Sequence, residues 1–451
     1  MNEKRSGFSG KLGFVMAAAG SAVGLGNIWR FPYLAAKYGG GMFLLVYIIL
    51  ALTFGFTLMT AEICLGRKTG QSPIGAFESL NKKYSFIGYL AFIVPAIILP
   101  YYSVIGGWVT KYLVSFISGN ASNAAADGYF NDFIAAPAEP IIWFLLFVGA
   151  TALIVLLGVE KGIEKVSKIM MPVLVVLTVF IGVYVLFMPG AIDGLLYYVT
   201  PDIEHFSATT ILAAMGQLFY SMSLAMGIMI TYGSYMKKDV NIESCVKNIE
   251  IFDTGIAFLA GMMIVPAVFA FSGGDPAALN KGPGLMFVTL PKVFDSMVGG
   301  TVVGIVFFLL VLLAALTSSI SIMETIVSVL QDKFKMGRKT ACIAVIGLCL
   351  VLGLPSSLGN GIWANITIIG MNFLDFFDFI SNSVIMPIVA LLTCFFVGYV
   401  IKPDAIAEEV EKSGAFKRKK LFYVMIKYIA PICIVLILVS SLLDVFGILK
   451  I

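Results

Sequence analysis

One histidine, His205, stands in 451 residues. A zinc HExxH site needs two histidines a helical turn apart and is therefore excluded. A Ser-His-Asp triad would have to rest on this loop residue, so no enzymatic activity is expected. The six cysteines (Cys64, Cys245, Cys342, Cys349, Cys394 and Cys433) show no metal-ligand spacing, and none falls in an external connection. They read as apolar packing residues rather than a disulfide framework. Charge is scarce too: charged residues make up 12% of the chain and hydrophobic residues 59%, where a soluble domain carries about 25% charged. So few charges cannot cover a water-exposed surface of this size. The net charge of +4 is too weak to argue for nucleic acid, and no nucleic-acid partner is expected.

What the chain has instead is long apolar sequence. A membrane span needs about 20 apolar residues. Apolar runs fall at 11–37, 42–65, 86–118, 141–158, 166–188, 208–236, 244–272, 298–331, 339–356, 372–400 and 421–447, which makes eleven spans in a lipid bilayer. The basic residues fix their direction. One set of alternate connections holds Lys4, Arg5 and Lys11; Arg67, Lys68, Lys82 and Lys83; Lys161, Lys165 and Lys168; Lys237, Lys238 and Lys247; Lys333, Lys335, Arg338 and Lys339; and seven more from Lys402 to Lys427. That is 24 of the 30 Lys and Arg, against Lys281, Lys292 and Lys450 on the other side. By the positive-inside rule the N-terminus is cytoplasmic and, after eleven spans, the C-terminus is outside. The first apolar run is too long for a signal peptide and lacks a small-residue cleavage site, so it is expected to stay in the mature protein.

The interruptions within the spans carry the functional signal. Broken helix at membrane depth is tolerated only where it lines a cavity. Span 1 is interrupted by Gly20, Gly24 and Gly26, joined by Ser21, Asn27, Arg30 and Pro32. Small-residue helix packing would explain Gly20 and Gly24, but not Asn27 and Arg30. Span 6 repeats the anomaly with Gln217, Ser221, Ser223 and Gly227. Interrupted helices five spans apart point to inverted repeats with a substrate site at the midplane. The repeats would be spans 1–5 and 6–10, about 11–190 and 207–400, with an extra span at about 421–447, all in one domain over 1–451. Span 8 adds the consecutive hydroxyls Thr317, Ser318 and Ser319, suited to a hard cation unless they bond back to their own helix.

At these residues the chain resembles the neurotransmitter:sodium symporter family, in its bacterial amino-acid branch with eleven spans. The resemblance rests on GSAVGLGNIWRFPY at 20–33, GGG at 39–41, Tyr47, EICLGR at 62–67 and PYYSVIGGW at 100–108. It continues through GQLFYSMSLAMG in span 6, ITYGSY at 230–235 and LTSSISIME at 316–324, so it covers residue 4 to about 400. It implies an all-α polytopic fold with broken helices 1 and 6. It also implies amino-acid import, driven by sodium, across a bacterial inner membrane.

Carried over residue by residue, the resemblance implies two sodium sites. The first would use the carbonyl of Ala22, with Asn27, Ser221 and a residue of span 7. The second would use the carbonyls of Gly20, Val23 and Ala314 with the hydroxyls of Thr317 and Ser318. The substrate carboxylate would meet the amides near Leu25 and Gly26, the Tyr102 hydroxyl and the first sodium. Its ammonium would meet the carbonyls of Ala22 and Tyr220 and the hydroxyl of Ser223. Ile98, Tyr102, Tyr220, Met226, Ser318 and Ile322 would shape the side-chain pocket. Gly24 stands where amine-transporting relatives carry aspartate, which favours a substrate with its own carboxylate. Met226 stands where the leucine-transporting relative has phenylalanine; a thioether re-packs readily, so hydrophobic and aromatic L-amino acids are expected, unless Met226 is ordinary core.

Arg30 and Asp378 match the family's external ion pair, with Asp375 the alternative partner. Arg5 and Asp332 match its cytoplasmic pair, near Phe8, Ser234 and Tyr235. Glu62 is assigned to bracing the broken sixth helix; Glu324, also within a span, has no assignment. In span 7 the resemblance sets Asp253 where chloride-dependent relatives have asparagine, although a one-residue shift would put Phe252 there. With Asp253 beside the first sodium, chloride is not required. Gly162 and Pro172 match a Gly-x9-Pro stretch that unwinds span 5 in some bacterial relatives; a simple proline kink is the alternative.

Overall fold

In hydrocarbon each backbone N–H and C=O must be satisfied within its own segment, so long apolar runs become helices. A computed structural model describes residues 7–275, 279 and 282–445. The chain is 81% helix, and among the described residues β-structure is limited to two isolated bridges, Gly40 to Pro201 and Ile368 to Met371. Span 1 is a bent pair, Lys11–Ala22 and Gly26–Lys37, with 55° between its halves. Spans 2 to 5 are Gly41–Thr69, Lys82–Ile117, Glu139–Leu156 and Val159–Val185. Span 6 is also two helices, Ala208–Ser221 and Ile228–Ser234. Spans 7 to 11 are Ile242–Ser272, Gly300–Phe334, Arg338–Leu358, Phe373–Val400 and Lys419–Val445.

The two breaks have different local causes. Span 1 stops at Ala22 because Val23 turns to an extended conformation, φ −76 and ψ 98. Span 6 stops at Ser221, and the chain then passes through left-handed Ser223 (φ 52), Ala225 (φ 58) and Gly227 (φ 72) before the helix resumes. Only glycine adopts this conformation without cost, so Ser223 and Ala225 hold strain of the kind found at functional sites. Close packing fixes the second half of span 6. Water-driven burial is unavailable between spans, and small residues allow backbones to approach instead. A Cβ on Gly66 of span 2 would lie 1.9 Å from the Ile230 carbonyl, and one on Gly233 of span 6 would lie 2.3 Å from that of Ile63.

The basic connections meet on one face of the bundle. Arg67, 1% exposed, pairs with the buried Glu409 at 2.9 Å and donates to the carbonyl of Val240. Lys238 and Lys412 reach the same carboxylate. Glu409 lies on the short helix Pro403–Glu411 between spans 10 and 11. On the same face, Arg338 binds both Glu324 and the carbonyl of Val155, while Tyr235 donates to Glu324 at 2.7 Å. Glu324 thus ties span 8 to the end of span 6 and the start of span 9.

Candidate functional site

The two breaks face each other at the centre of the bundle. Ser223 donates to the carbonyl of Ser21 at 2.9 Å, and Gln217 to the carbonyl of Gly26 at 3.0 Å. Between them lies a cavity bordered by Ala22, Leu25, Gly26, Ile98, Tyr102, Tyr220, Ser221, Ser223, Met226, Ser318 and Ile322, with Ser21, Gly24 and Asn27. Every residue expected in the substrate pocket therefore borders this one space. The helix resumes after the break in span 1 at Gly26, and the first amides of a resumed helix have no partner in their own helix. The Tyr102 hydroxyl is buried against the Leu25 amide and the Ser318 hydroxyl, with no well-aligned hydrogen bond to either. A Cβ on Gly24 would lie 3.4 Å from that hydroxyl and 2.8 Å from the Ser318 Oγ. Glycine at 24 keeps this corner open.

Beside the cavity, Asp253 is fully buried. Its Oδ1 accepts from the Asn27 amide at 2.8 Å and the Ser221 hydroxyl at 2.7 Å. Its Oδ2 accepts from the Tyr47 hydroxyl at 2.9 Å. The structure thus brings Asn27, Ser221 and Asp253 together next to Ala22. Asn27 Oδ1 also accepts from the Gly24 amide at 3.0 Å, which pins the side chain to the break. Sequence reasoning noted Tyr47 and Gln217 but gave them no contact; Ser21 and Ser321, joined at 2.7 Å, were missed as partners. Hydroxyls in a run of small residues were the available signal.

The second oxygen-rich cluster lies where spans 1 and 8 touch. Ser318 Oγ lies 3.4 Å from the Gly20 carbonyl oxygen and 3.3 Å from that of Val23. Thr317 Oγ1 lies 3.1 Å from the carbonyl oxygen of Ala314. Ser318 thus meets the Gly20 and Val23 carbonyls across the span 1 break, whereas the Thr317 hydroxyl bonds back to its own helix, 3.0 Å from the Leu313 carbonyl oxygen as well. Among the described residues no group of three His, Cys, Asp or Glu could hold a transition metal. Neutral hydroxyls and carbonyls suit a hard monovalent cation instead.

Glu62 does brace span 6: its Oε1 accepts from the amide of Ala225 at 2.7 Å, within the left-handed segment. The gate expectations fare unevenly. Arg30 and Asp378 border the same vestibule above the cavity. No ion pair joins Arg30 to Asp378 or Asp375 among the described residues. Instead the guanidinium stands over the Tyr220 ring, 5.7 Å from its centroid. Asp378 accepts from Tyr101 at 3.1 Å and Asn382 at 2.7 Å. The open vestibule separates the two charges. Of the other pair, Arg5 lies outside the described residues, and Asp332 accepts from the Ser72 amide at 2.9 Å. On that side Phe8 is 1% exposed and packs edge-on against Phe14, Tyr232 and Tyr235. Span 5 is not unwound: a π-helical turn over Val159–Glu164 leads into a helix, Lys165–Val185, that runs through Pro172.

A polytopic bundle in which two broken helices enclose a cavity between an open and a plugged end is a membrane transporter, not an enzyme. The chain matches the Sodium:neurotransmitter symporter family over residues 5–133 and 131–448. It is 34% identical to an uncharacterized sodium-dependent transporter of Haemophilus influenzae, over 98% of this chain and 99% of that one. It is 26% identical to the sodium- and chloride-dependent taurine transporter of Rattus norvegicus, over 90% of this chain and 73% of the relative. Among solved structures it is similar to MhsT, crystallised in complex with L-phenylalanine. That match has 40% identity and a TM-score of 0.88, covering 97% of this chain and 100% of MhsT. The chain belongs to the sodium:neurotransmitter symporter family and is a sodium-dependent, multi-span transporter of a small molecule.

Proposed function

We propose that this transporter imports hydrophobic and aromatic L-amino acids by alternating access, one substrate molecule with two sodium ions. The observation that carries the reading is the Tyr102 hydroxyl, buried beside Gly24, the Leu25 amide and the Ser318 hydroxyl at the break in span 1. A buried hydroxyl next to the amides of a broken helix end fits a carboxylate. A substrate carboxylate there would stand close to Asn27 and complete a first sodium site with Ala22, Ser221 and Asp253. The second sodium would sit among Gly20, Val23, Ala314, Thr317 and Ser318. Asp253 supplies a fixed negative charge at the first site, so chloride is not needed. Ile98, Met226 and Ile322 offer an apolar wall with one adaptable thioether, and MhsT, crystallised with L-phenylalanine, supports a bulky substrate.

In this reading the face carrying the basic connections is cytoplasmic and the vestibule is outside, in a bacterial cell membrane with the N-terminus inside and the C-terminus outside. Spans 1–5 (about 11–190) and 6–10 (about 207–400) form the inverted repeats, and residues 421–447 add a span to the single domain. Arg30 and Asp378 would approach when the vestibule closes over Tyr102 and Tyr220; Arg5 and Asp332 would guard the cytoplasmic end. Purified protein should bind labelled phenylalanine in sodium and ignore phenethylamine, which lacks the carboxylate. Equal competition by the amine would overturn the carboxylate assignment.

A further inference from the structure

Glu164 is a buried carboxylate, 2% exposed, that the transport reading does not use. It closes the π-helical turn Val159–Glu164, which follows left-handed Gly158 (φ 90) at the start of span 5. From there the side chain crosses to the segment that leads into span 1. Its Oε2 accepts the amide of Ser9 at 2.8 Å, and its Oε1 accepts the Ser9 hydroxyl and the Lys168 ammonium. Lys237 donates to the Ser9 carbonyl at 2.6 Å, so both backbone polar groups of Ser9 are held. Gly13 makes room for the contact: a Cβ there would lie 2.2 Å from Glu164 Oε1. Phe8, next to Ser9, is the plug of this face, and its amide donates to the Tyr235 carbonyl at 3.1 Å.

We propose that Glu164 is the positioning residue that holds the inner half of span 1 against span 5, and that its release permits the inner face to open. The inference rests on the alternating-access reading above. A desolvated carboxylate is stable only while its donors are all present, and three of its contacts converge on Ser9 and Lys168. When the Ser9 segment departs, the carboxylate is left with one cation and must go to water. Span 5 can follow, because it is weak at this point. A π-helical turn opens it, and Pro172 has no N–H to give the carbonyl of Lys168. The inner half of span 1 and the inner end of span 5 therefore move as a coupled pair, joined through one side chain.

Hydrogen exchange of the full-length protein in lipid nanodiscs, in sodium buffer, tests this. Glu164→Gln should raise amide exchange about tenfold in both 11–22 and 159–172 through more frequent local opening. Gly13→Ala, which evicts the carboxylate without removing it, should reproduce the effect. Glu160→Gln, an exposed acid on the same turn, should leave both segments as in the wild type. The Glu164→Gln protein should also need several-fold more sodium to bind substrate, because an inward-open population competes with the sodium-loaded one. Wild-type exchange in both Glu164→Gln and Gly13→Ala would overturn the proposal. Faster exchange confined to 159–172 would overturn it too, leaving a local role in span 5. Failure of the wild type to couple transport to sodium would sink the transport reading, but would leave this exchange contrast readable.

Discussion

Asn27 donates a hydrogen bond of 2.8 Å to Asp253, joining the break in span 1 to the middle of span 7 inside the bundle. Asp253 also receives hydrogen bonds from Ser221 and Tyr47. A carboxylate buried in a span is costly unless cations or donors surround it. Three donors and a sodium ion would satisfy it; three donors alone leave a full negative charge in a low-dielectric site. Asp253→Asn should therefore cut uptake in chloride-free medium about tenfold or more, a loss near 1.4 kcal/mol of ion binding. Added chloride should restore part of it. Unchanged chloride-free uptake in the variant would refute a fixed-charge role.

Gly24→Asp fills the corner beside Tyr102. The new Cβ would stand 2.8 Å from Ser318 Oγ, and its carboxylate would take the place assigned to that of the substrate. Amino-acid binding should fall at least about tenfold, measured by equilibrium binding of labelled phenylalanine, while the protein remains folded in detergent.

Glu62 and Ala225 show how the strained segment of span 6 is held. The Ala225 amide has the Glu62 carboxyl as its acceptor at 2.7 Å. Glu62→Ala removes that acceptor and should destabilise the protein by about 1–3 kcal/mol, the usual cost of an orphaned buried donor. Glu62→Gln keeps a carbonyl oxygen and should be milder. Thermal unfolding in detergent distinguishes the two.

The Glu409 cluster sets an acid limit on stability. Burial favours the neutral acid, but Lys412, Arg67 and Lys238 outweigh it and hold the carboxyl below its ordinary value of 4.5. A depressed carboxylate contributes stability above its unfolded pKa and loses it as pH falls through the folded one. Wild type should therefore exceed Glu409→Gln in melting temperature from neutral pH down to about 5, and the gap should shrink as pH falls further, through the depressed folded-state value. A gap that widened on acidification would contradict this assignment.

Much of the site can be read from the sequence, because its key residues interrupt apolar runs where only a functional need explains them. Gly24, Asn27, Ser221 and Asp253 are of this kind, and Glu62 braces span 6 as the resemblance implied. Contacts between distant segments are another matter. Nothing local in the sequence ties Tyr47 to Asp253, Gln217 to the carbonyl of Gly26, or Glu164 to Ser9, since each depends on how spans pack. The Arg30 and Asp378 pairing comes from the resemblance; the residues share a vestibule here but form no ion pair. Glu324, unassigned from sequence, gains its role only through Arg338 and Tyr235.

The most direct test of sodium-driven amino-acid import is accumulation of labelled phenylalanine in proteoliposomes, with chloride replaced by gluconate. An inward sodium gradient should drive uptake above the external concentration. Equal sodium on both sides should reduce this to equilibration. Concentrative uptake that ignored the sodium gradient, or sodium-dependent binding with no accumulation, would contradict the account.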